Sequence, residues 1–166
     1  MTVTTIDART ALIVVDLQAG TVGNPTVHPI ADVVANAASV IAEFRKRKLP
    51  VVIATIDGTG PGRAEFGRCA SEWPAELVTL VPEVTVEEGD MLMTRRAWSA
   101  FSSTNLQQQL NNAGVTQVVI VGLATSFGIE PTARDAYDAG FNVRCSARRA
   151  RPPRSSRCSA SVWKKG

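Results

Sequence analysis

The chain has 166 residues, of which 45% are hydrophobic and 20% are charged. These proportions are typical of one globular domain with a single core. No run of 18 apolar residues occurs, which argues against a membrane-spanning helix, and no basic-then-apolar signal pattern opens the sequence, so we expect a cytoplasmic protein. Three cysteines without metal-like spacing, and a single histidine, argue against a disulfide framework and a zinc site.

The net charge of +3 is unevenly distributed along the chain. Eight of the 18 Lys and Arg residues, and no acid, lie from Arg144 onward, so the first 143 residues carry ten basic against 15 acidic side chains. Such an arm is often found in nucleic-acid-binding proteins. Here, however, the segment is rich in Arg, Pro and Ser and has no helical or strand period. Its composition is typical of an out-of-frame reading of GC-rich DNA.

We therefore predict a domain over residues 1–143 and a separate basic tail over 144–166, arising from a frameshift or truncation. The alternative is a natural disordered tail. Because of this composition, nucleic acid is not an expected partner. Nucleic-acid binding through the tail would require salt-sensitive affinity that disappears when the chain is cut at Val143.

The first half of the chain predicts a strand, a helix and a second strand. Ala11–Val15 is a continuous apolar run that ends in Asp16, the pattern of a buried parallel strand. After a turn-rich stretch, apolar residues recur at helical spacing from Val33 to Phe44. Val51–Ile56 reads as the next strand, which completes a βαβ unit.

The middle of the chain is less regular. Residues 57–88 predict a long loop, with Trp73 as an anchor. A short strand over Met91–Met93 leads into Arg95. We then predict a helix that begins at Thr104 with a capping box and ends at Gly114.

Gln117–Val121 is a further buried strand. Small residues follow it and lead into a helix that extends to Gly140. A strand that turns directly into a helix N-terminus forms a site for developing negative charge, because free N–H groups and the helix dipole point at the turn. Gly128, at the position best placed for a nucleophile, has no side chain. The alternation of strands and helices predicts a three-layer α/β/α sandwich with a parallel sheet.

Three motifs resemble the isochorismatase-like (cysteine) hydrolase superfamily. They are ALIVVDLQ from Ala11, TRRAWSAF from Thr94, and GLATSFGIEPTARDAYDAGFNV from Gly122. The resemblance implies a Rossmann-like topology and places the family's catalytic Asp at Asp16. Arg95 stands where the family has Lys, and Gly128 where it usually has Cys, as in a branch that lacks this cysteine. The family continues past Val143 with a strand and a helix, which we expect to be missing or altered here.

The resemblance also implies roles for further residues. Backbone N–H groups of Ala124 and Gly128 would hold an oxyanion, next to a cis peptide between Leu123 and Ala124. Family nicotinamidases bind a metal through an Asp and two His near the second strand, but no histidine follows Asp57, so we expect no metal and no cofactor. The residues expected to line the substrate pocket are Gln18, His28, Trp98, Phe101, Ser126 and Phe127.

The expected activity is hydrolysis of a small molecule without a cysteine nucleophile. Isochorismatases of the family cleave a vinyl ether, which requires an acid and a cation that holds carboxylates but no covalent intermediate. Asp16 would be the acid and Arg95 the clamp, although a neighbouring guanidinium favours an ionised Asp. Amide or ester hydrolysis is a second option.

The rival hypothesis is a catalytically silent relative that binds a ligand or an active paralogue. A dimer or tetramer is expected.

Overall fold

The computed structural model describes residues 6–24, 26, 28–60, 62 and 72–145. In this part of the chain, five parallel strands form one sheet in the order β3-β2-β1-β4-β5. The strands are β1 (Thr10–Val15), β2 (Val51–Ile56), β3 (Met91–Arg95), β4 (Gln117–Gly122) and β5 (Asn142–Cys145).

Helices cover both faces of the sheet. Their bounds are α1 (Ala19–Val22), α2 (Ile30–Lys46), α3 (Ala75–Val78), α4 (Leu106–Asn112), a π-helical turn (Thr125–Ile129) and α5 (Glu130–Asp138), which continues from that turn. The apolar stripe of α2 packs on one face, where it meets Leu12 and Val14 of β1. Helices α4 and α5 pack on the other face. The predicted three-layer α/β/α sandwich is confirmed.

Strand β1 lies at the centre of the sheet. It pairs with β2 on one side and β4 on the other, and all six of its residues are buried. This environment explains its unbroken apolar sequence, because a parallel strand with a neighbour on each edge and helices on both faces has no solvent side. The strand order changes direction between β1 and β4, which in open α/β sheets opens a crevice at the carboxyl ends.

The start of α4 differs from the prediction. The N-cap residue is Asn105, and the hydroxyl of Thr104 donates to the carbonyl of Ala100 at 2.7 Å. The capping box predicted at Thr104 and Gln107 is therefore wrong, since that hydroxyl holds the preceding turn. The predicted stop is confirmed: Gly114 adopts a φ of 66°, which favours glycine.

Helices α1 and α3 and strand β5 were not predicted from the sequence, and α1 is a single turn in the stretch read as turn-rich. Helix α3 is a single turn inside the segment read as a loop, too short to show a helical period. Strand β5 pairs with β4 through Cys145, two residues past the predicted domain boundary at Val143. Of the predicted tail over residues 144–166, residues 146–166 lie outside the described residues. No helix in the described part of the chain is long and apolar enough to span a membrane.

Candidate active site

The carboxyl ends of β1 and β3 bring Asp16 and Arg95 together. Strand β2 separates these two strands, so the arginine side chain reaches across the end of β2. Its Nη1 lies 2.7 Å from Oδ1 of Asp16 and its Nη2 lies 2.8 Å from Oδ2. The side chain of Arg95 has no exposed surface, and that of Asp16 is 8% exposed. The pair is thus a buried, bidentate ion pair of the kind that a planar guanidinium forms well.

The same guanidinium also holds the loop after β3. Nη2 of Arg95 donates to the backbone oxygen of Trp98 at 3.0 Å. Its Nε is buried and has no partner among the described residues. Both Nη atoms of Arg95 are thus engaged by Asp16 and by the Trp98 oxygen, and its side chain has no exposed surface. The role of Arg95 as a carboxylate clamp stays a prediction.

The backbone of Asp16 is itself unusual. Its φ is 53°, in the left-handed region, where Asp and Asn are tolerated better than most residues. The N–H of Asp16 donates to the oxygen of Ala54 at 2.9 Å, and the hydroxyl of Thr21 donates to the Asp16 carbonyl. Sequence reasoning missed Thr21 because the segment read as a turn. Residues held in this region often mark functional sites.

Burial raises the pKa of the Asp16 carboxyl above its ordinary value, while the hydrogen bonds and the charge of Arg95 act in the opposite direction. The loss of hydration is the larger effect. Asp16 therefore holds a proton more readily than an exposed aspartate, in spite of its cationic neighbour.

The end of β4 approaches β1 very closely. Gly122 has a φ of 123°, and a Cβ there would lie 2.0 Å from the oxygen of Val15, so only glycine fits. The following peptide bond, between Leu123 and Ala124, is cis, as the resemblance implied.

Gly128 lies against the carboxylate of Asp16. A Cβ on Gly128 would stand 3.1 Å from Oδ2 of Asp16, but also 2.7 Å from the Leu123 oxygen and 2.7 Å from Cγ1 of Val15. The position is therefore beside the acid, as expected, yet it is too tight for a side chain unless the backbone shifts.

The π-helical turn uses the N–H group that was expected to hold an oxyanion. The oxygen of Ala124 accepts hydrogen bonds from the N–H groups of Phe127, Gly128 and Ile129, at 3.2, 2.9 and 3.1 Å. The N–H of Gly128 is thus engaged within the helix. In the described part of the chain, no acceptor is recorded for the N–H of Ala124, which remains the candidate donor for a developing negative charge.

Two exposed aromatic rings stand at the same edge of the sheet. Trp98 and Phe127 are 58% and 59% exposed, and their rings meet edge to face with centroids 5.7 Å apart. Ser126 is also exposed, in the π-helical turn. Phe101 instead packs on Phe141 with ring centroids 6.1 Å apart, as part of the core.

The structure assigns different environments to the two remaining pocket candidates. The buried side-chain amide of Gln18 bonds the N–H and the oxygen of Ile56 at 2.8 and 2.9 Å, and the oxygen of Val78 at 2.8 Å. The amide of Gln18 thus joins the segment after β1 to β2 and α3. His28 is exposed in the loop ahead of α2, and the contacts recorded for the described residues do not connect its side chain to the Asp16–Arg95 pair.

Comparison with known proteins gives a consistent set of similarities. The family described as Isochorismatase domain matches residues 10–147. The chain is 36% identical over 140 residues to the uncharacterized isochorismatase family protein YwoC of Bacillus subtilis (strain 168), covering 80% of this chain and 72% of that protein.

Two solved structures extend the similarity. An isochorismatase family protein from Burkholderia thailandensis superposes with a TM-score of 0.78 at 32% identity, covering 85% of this chain and 78% of that one. N-carbamoylsarcosine amidase from Thermoplasma acidophilum superposes with a TM-score of 0.71 at 29% identity, covering 82% and 80%.

Proposed function

The chain belongs to the isochorismatase-like hydrolase superfamily, and on that premise we propose that it hydrolyses a small vinyl ether by acid catalysis at Asp16, without a covalent intermediate. The observation that carries the proposal is the buried carboxyl of Asp16 beside a residue that has no side chain and no space for one.

The surroundings of Gly128 argue against acyl transfer at this position. A covalent route requires a nucleophile there and donors for the tetrahedral oxyanion. Gly128 supplies no thiol, and its N–H group is bonded to the oxygen of Ala124. Amide hydrolysis of the kind named for the N-carbamoylsarcosine amidase is therefore the less favoured chemistry for this chain, although the fold is shared.

The environment of Asp16 supports its use as a general acid. Protonation of the terminal enol-ether carbon by Asp16 generates an oxocarbenium ion, and water then adds to the carbon that bears the ether oxygen. Collapse of the resulting hemiketal releases an alcohol and a keto acid, and the proton lost from water returns to Asp16. Because burial raises the pKa of this carboxyl, a larger fraction is protonated than in an exposed aspartate.

The exposed aromatic pair supports a substrate with an unsaturated ring. Trp98 and Phe127 offer apolar ring surface next to the acid, and Arg95 fixes the loop that carries Trp98. For isochorismatases of the family, the products are a dihydro-dihydroxybenzoate and pyruvate. A carboxylated ring with an enolpyruvyl ether is therefore the substrate class that we propose.

The experiment is a substrate panel on the full-length chain, with pyruvate and ammonia both measured. We expect pyruvate from isochorismate or a related enolpyruvyl ether, and we expect the rate to survive alkylation of the cysteines. Turnover of amides that is lost on alkylation would refute the proposal. Absence of turnover of any enol ether, ester or amide by the folded chain would favour the silent relative, a hypothesis supported by the burial of Arg95 and the engaged N–H of Gly128.

We also propose that the protein is a homo-oligomer. Exposed apolar side chains support this, including Leu92 on β3, which has no strand partner on its outer side in the described part of the sheet. Light scattering at micromolar concentration would give a dimer or tetramer mass, and a monomer mass would contradict the proposal.

A further inference from the structure

A second ion pair lies at the carboxyl ends of β2 and β3, and the proposed acid mechanism does not use it. Asp57 directly follows β2, and Arg96 directly follows Arg95. Nε of Arg96 lies 3.0 Å from Oδ1 of Asp57, and its Nη2 lies 3.2 Å from Oδ2. Nη2 also lies 3.1 Å from Oε1 of Glu72. One guanidinium thus binds two carboxylates.

This contact joins two parts of the chain that are distant in sequence. The N–H of Trp73 donates to the backbone oxygen of Asp57 at 2.8 Å, so residue 73 lies next to the residue that follows β2. Asp57 stands at one side of this junction and Glu72 at the other, and Arg96 binds both. The arrangement is therefore a three-part clasp, which we call the Arg96 clasp.

The resemblance raises the question of whether a metal ion would fit at Asp57, as in family nicotinamidases. The residues present do not fit one. Both oxygens of Asp57 already accept hydrogen bonds from a cation, and a divalent ion bound to them would be repelled by the guanidinium. No group of three His, Cys, Asp or Glu residues that could hold a metal ion occurs among the described residues.

We propose that the guanidinium of Arg96 is a built-in cation that takes the place of a metal ion at Asp57, so that the native chain does not bind a divalent cation there. Hydrogen bonds to Asp57 and Glu72 raise the pKa of Arg96 above its ordinary value, so it stays charged across any practical pH range. Removing the guanidinium would leave two carboxylates facing one gap. Such hard oxygen donors suit ions such as Mn²⁺.

The test measures Mn²⁺ binding to the tag-free full-length chain by the loss of the free-ion signal in electron paramagnetic resonance. Manganese is chosen because cysteine thiolates are poor ligands for it. Native protein and Arg96→Lys, which keeps the charge, are expected not to bind saturably. Arg96→Ala and Arg96→Gln are expected to bind one ion saturably, with an affinity at least about tenfold above the upper limit measured for the native chain, since a repelling charge is removed.

A further variant assigns the binding to the proposed place. Asp57→Asn, combined with Arg96→Ala, should abolish the gained affinity. Arg134→Ala serves as the matched control, because Arg134 also pairs with an acid, Glu130, but on the exposed surface of α5. It should gain no affinity. Saturable binding to the native chain that Asp57→Asn removes would overturn the proposal, and so would the absence of any gain in both uncharged Arg96 variants.

Discussion

The guanidinium of Arg95 binds both carboxylate oxygens of Asp16 across the end of β2, at 2.7 and 2.8 Å. The two residues are 79 positions apart in sequence and both are buried. Arg95 has no exposed side-chain surface, and its guanidinium contacts Asp16 and the loop at Trp98.

Arg95→Gln should destabilise the fold, because it leaves the buried Asp16 carboxyl without its counter-charge. We expect a loss of about 3–5 kcal/mol in the free energy of unfolding, the usual cost of removing one partner of a buried pair. Urea denaturation measures this. Arg134→Gln removes an exposed pair with Glu130 and should leave the free energy unchanged within error. Equal effects of the two substitutions would show that the buried pair is not stabilised as described.

The pH dependence of stability reports the pKa of Asp16. Burial raises this pKa above its ordinary value, so the native state holds the proton more tightly than the unfolded chain does. The resulting stabilisation is fully present below the unfolded-state pKa and is lost as pH rises through the native pKa. Relative to Asp16→Asn, the native protein should thus lose stability over that window. A relative gain on raising the pH would mean that Arg95 outweighs burial.

Gly128→Ala should be destabilising because the added Cβ meets the Leu123 oxygen and the Val15 side chain at 2.7 Å. Overpacking of this kind costs typically about 1–3 kcal/mol. Gly23→Ala is the matched control, since its φ is −73° and the nearest atom to its Cβ is 3.8 Å away. Thermal unfolding of both variants checks the prediction. If Gly128→Ala matches the control, the tight packing around Gly128 is wrong.

The aromatic pair should affect substrate binding more than stability. Phe127→Ala removes one ring of the edge-to-face contact with Trp98, a contact worth about 0.5–1.5 kcal/mol. We expect a raised KM for the enol ether and a small change in unfolding midpoint. Tyr137→Ala, another exposed aromatic residue, on α5, should change neither quantity. An unchanged KM in Phe127→Ala would place the substrate elsewhere.

Most of the fold could be predicted from the sequence because β1, β2 and β4 are buried on both faces and thus read as apolar runs. The length of β2 and the end of α4 at Gly114 follow from local chemistry alone. The N-terminus of α4 was misplaced because the hydroxyl of Thr104 has a tertiary partner, the Ala100 oxygen, that a local rule does not include.

The site was harder to predict than the fold. The family resemblance placed Asp16, Arg95 and Gly128 together at the carboxyl ends of the strands. It could not show that Arg95 is buried or that the side-chain amide of Gln18 is hydrogen-bonded to the backbone of β2. The burial of Arg95 and the hydrogen bonds of Gln18 depend on contacts between residues that are distant in sequence, and local sequence patterns do not specify such contacts. The prediction made from the tail composition stays untested, because residues 146–166 lie outside the described residues.

The most direct test of the account is the effect of Asp16→Asn on kcat/KM for pyruvate release from isochorismate or the best enolpyruvyl ether of the panel. Asn fits the left-handed backbone of this position, and it removes both the transferable proton and the negative charge that faces Arg95. We expect the variant to stay folded but to lose about 3–5 kcal/mol in the free energy of unfolding, because the buried Arg95 guanidinium loses its counter-charge. We expect its kcat/KM to fall by roughly 10²–10⁴-fold, the usual contribution of general acid catalysis. Unchanged kcat/KM in a folded Asp16→Asn protein would contradict the proposed mechanism.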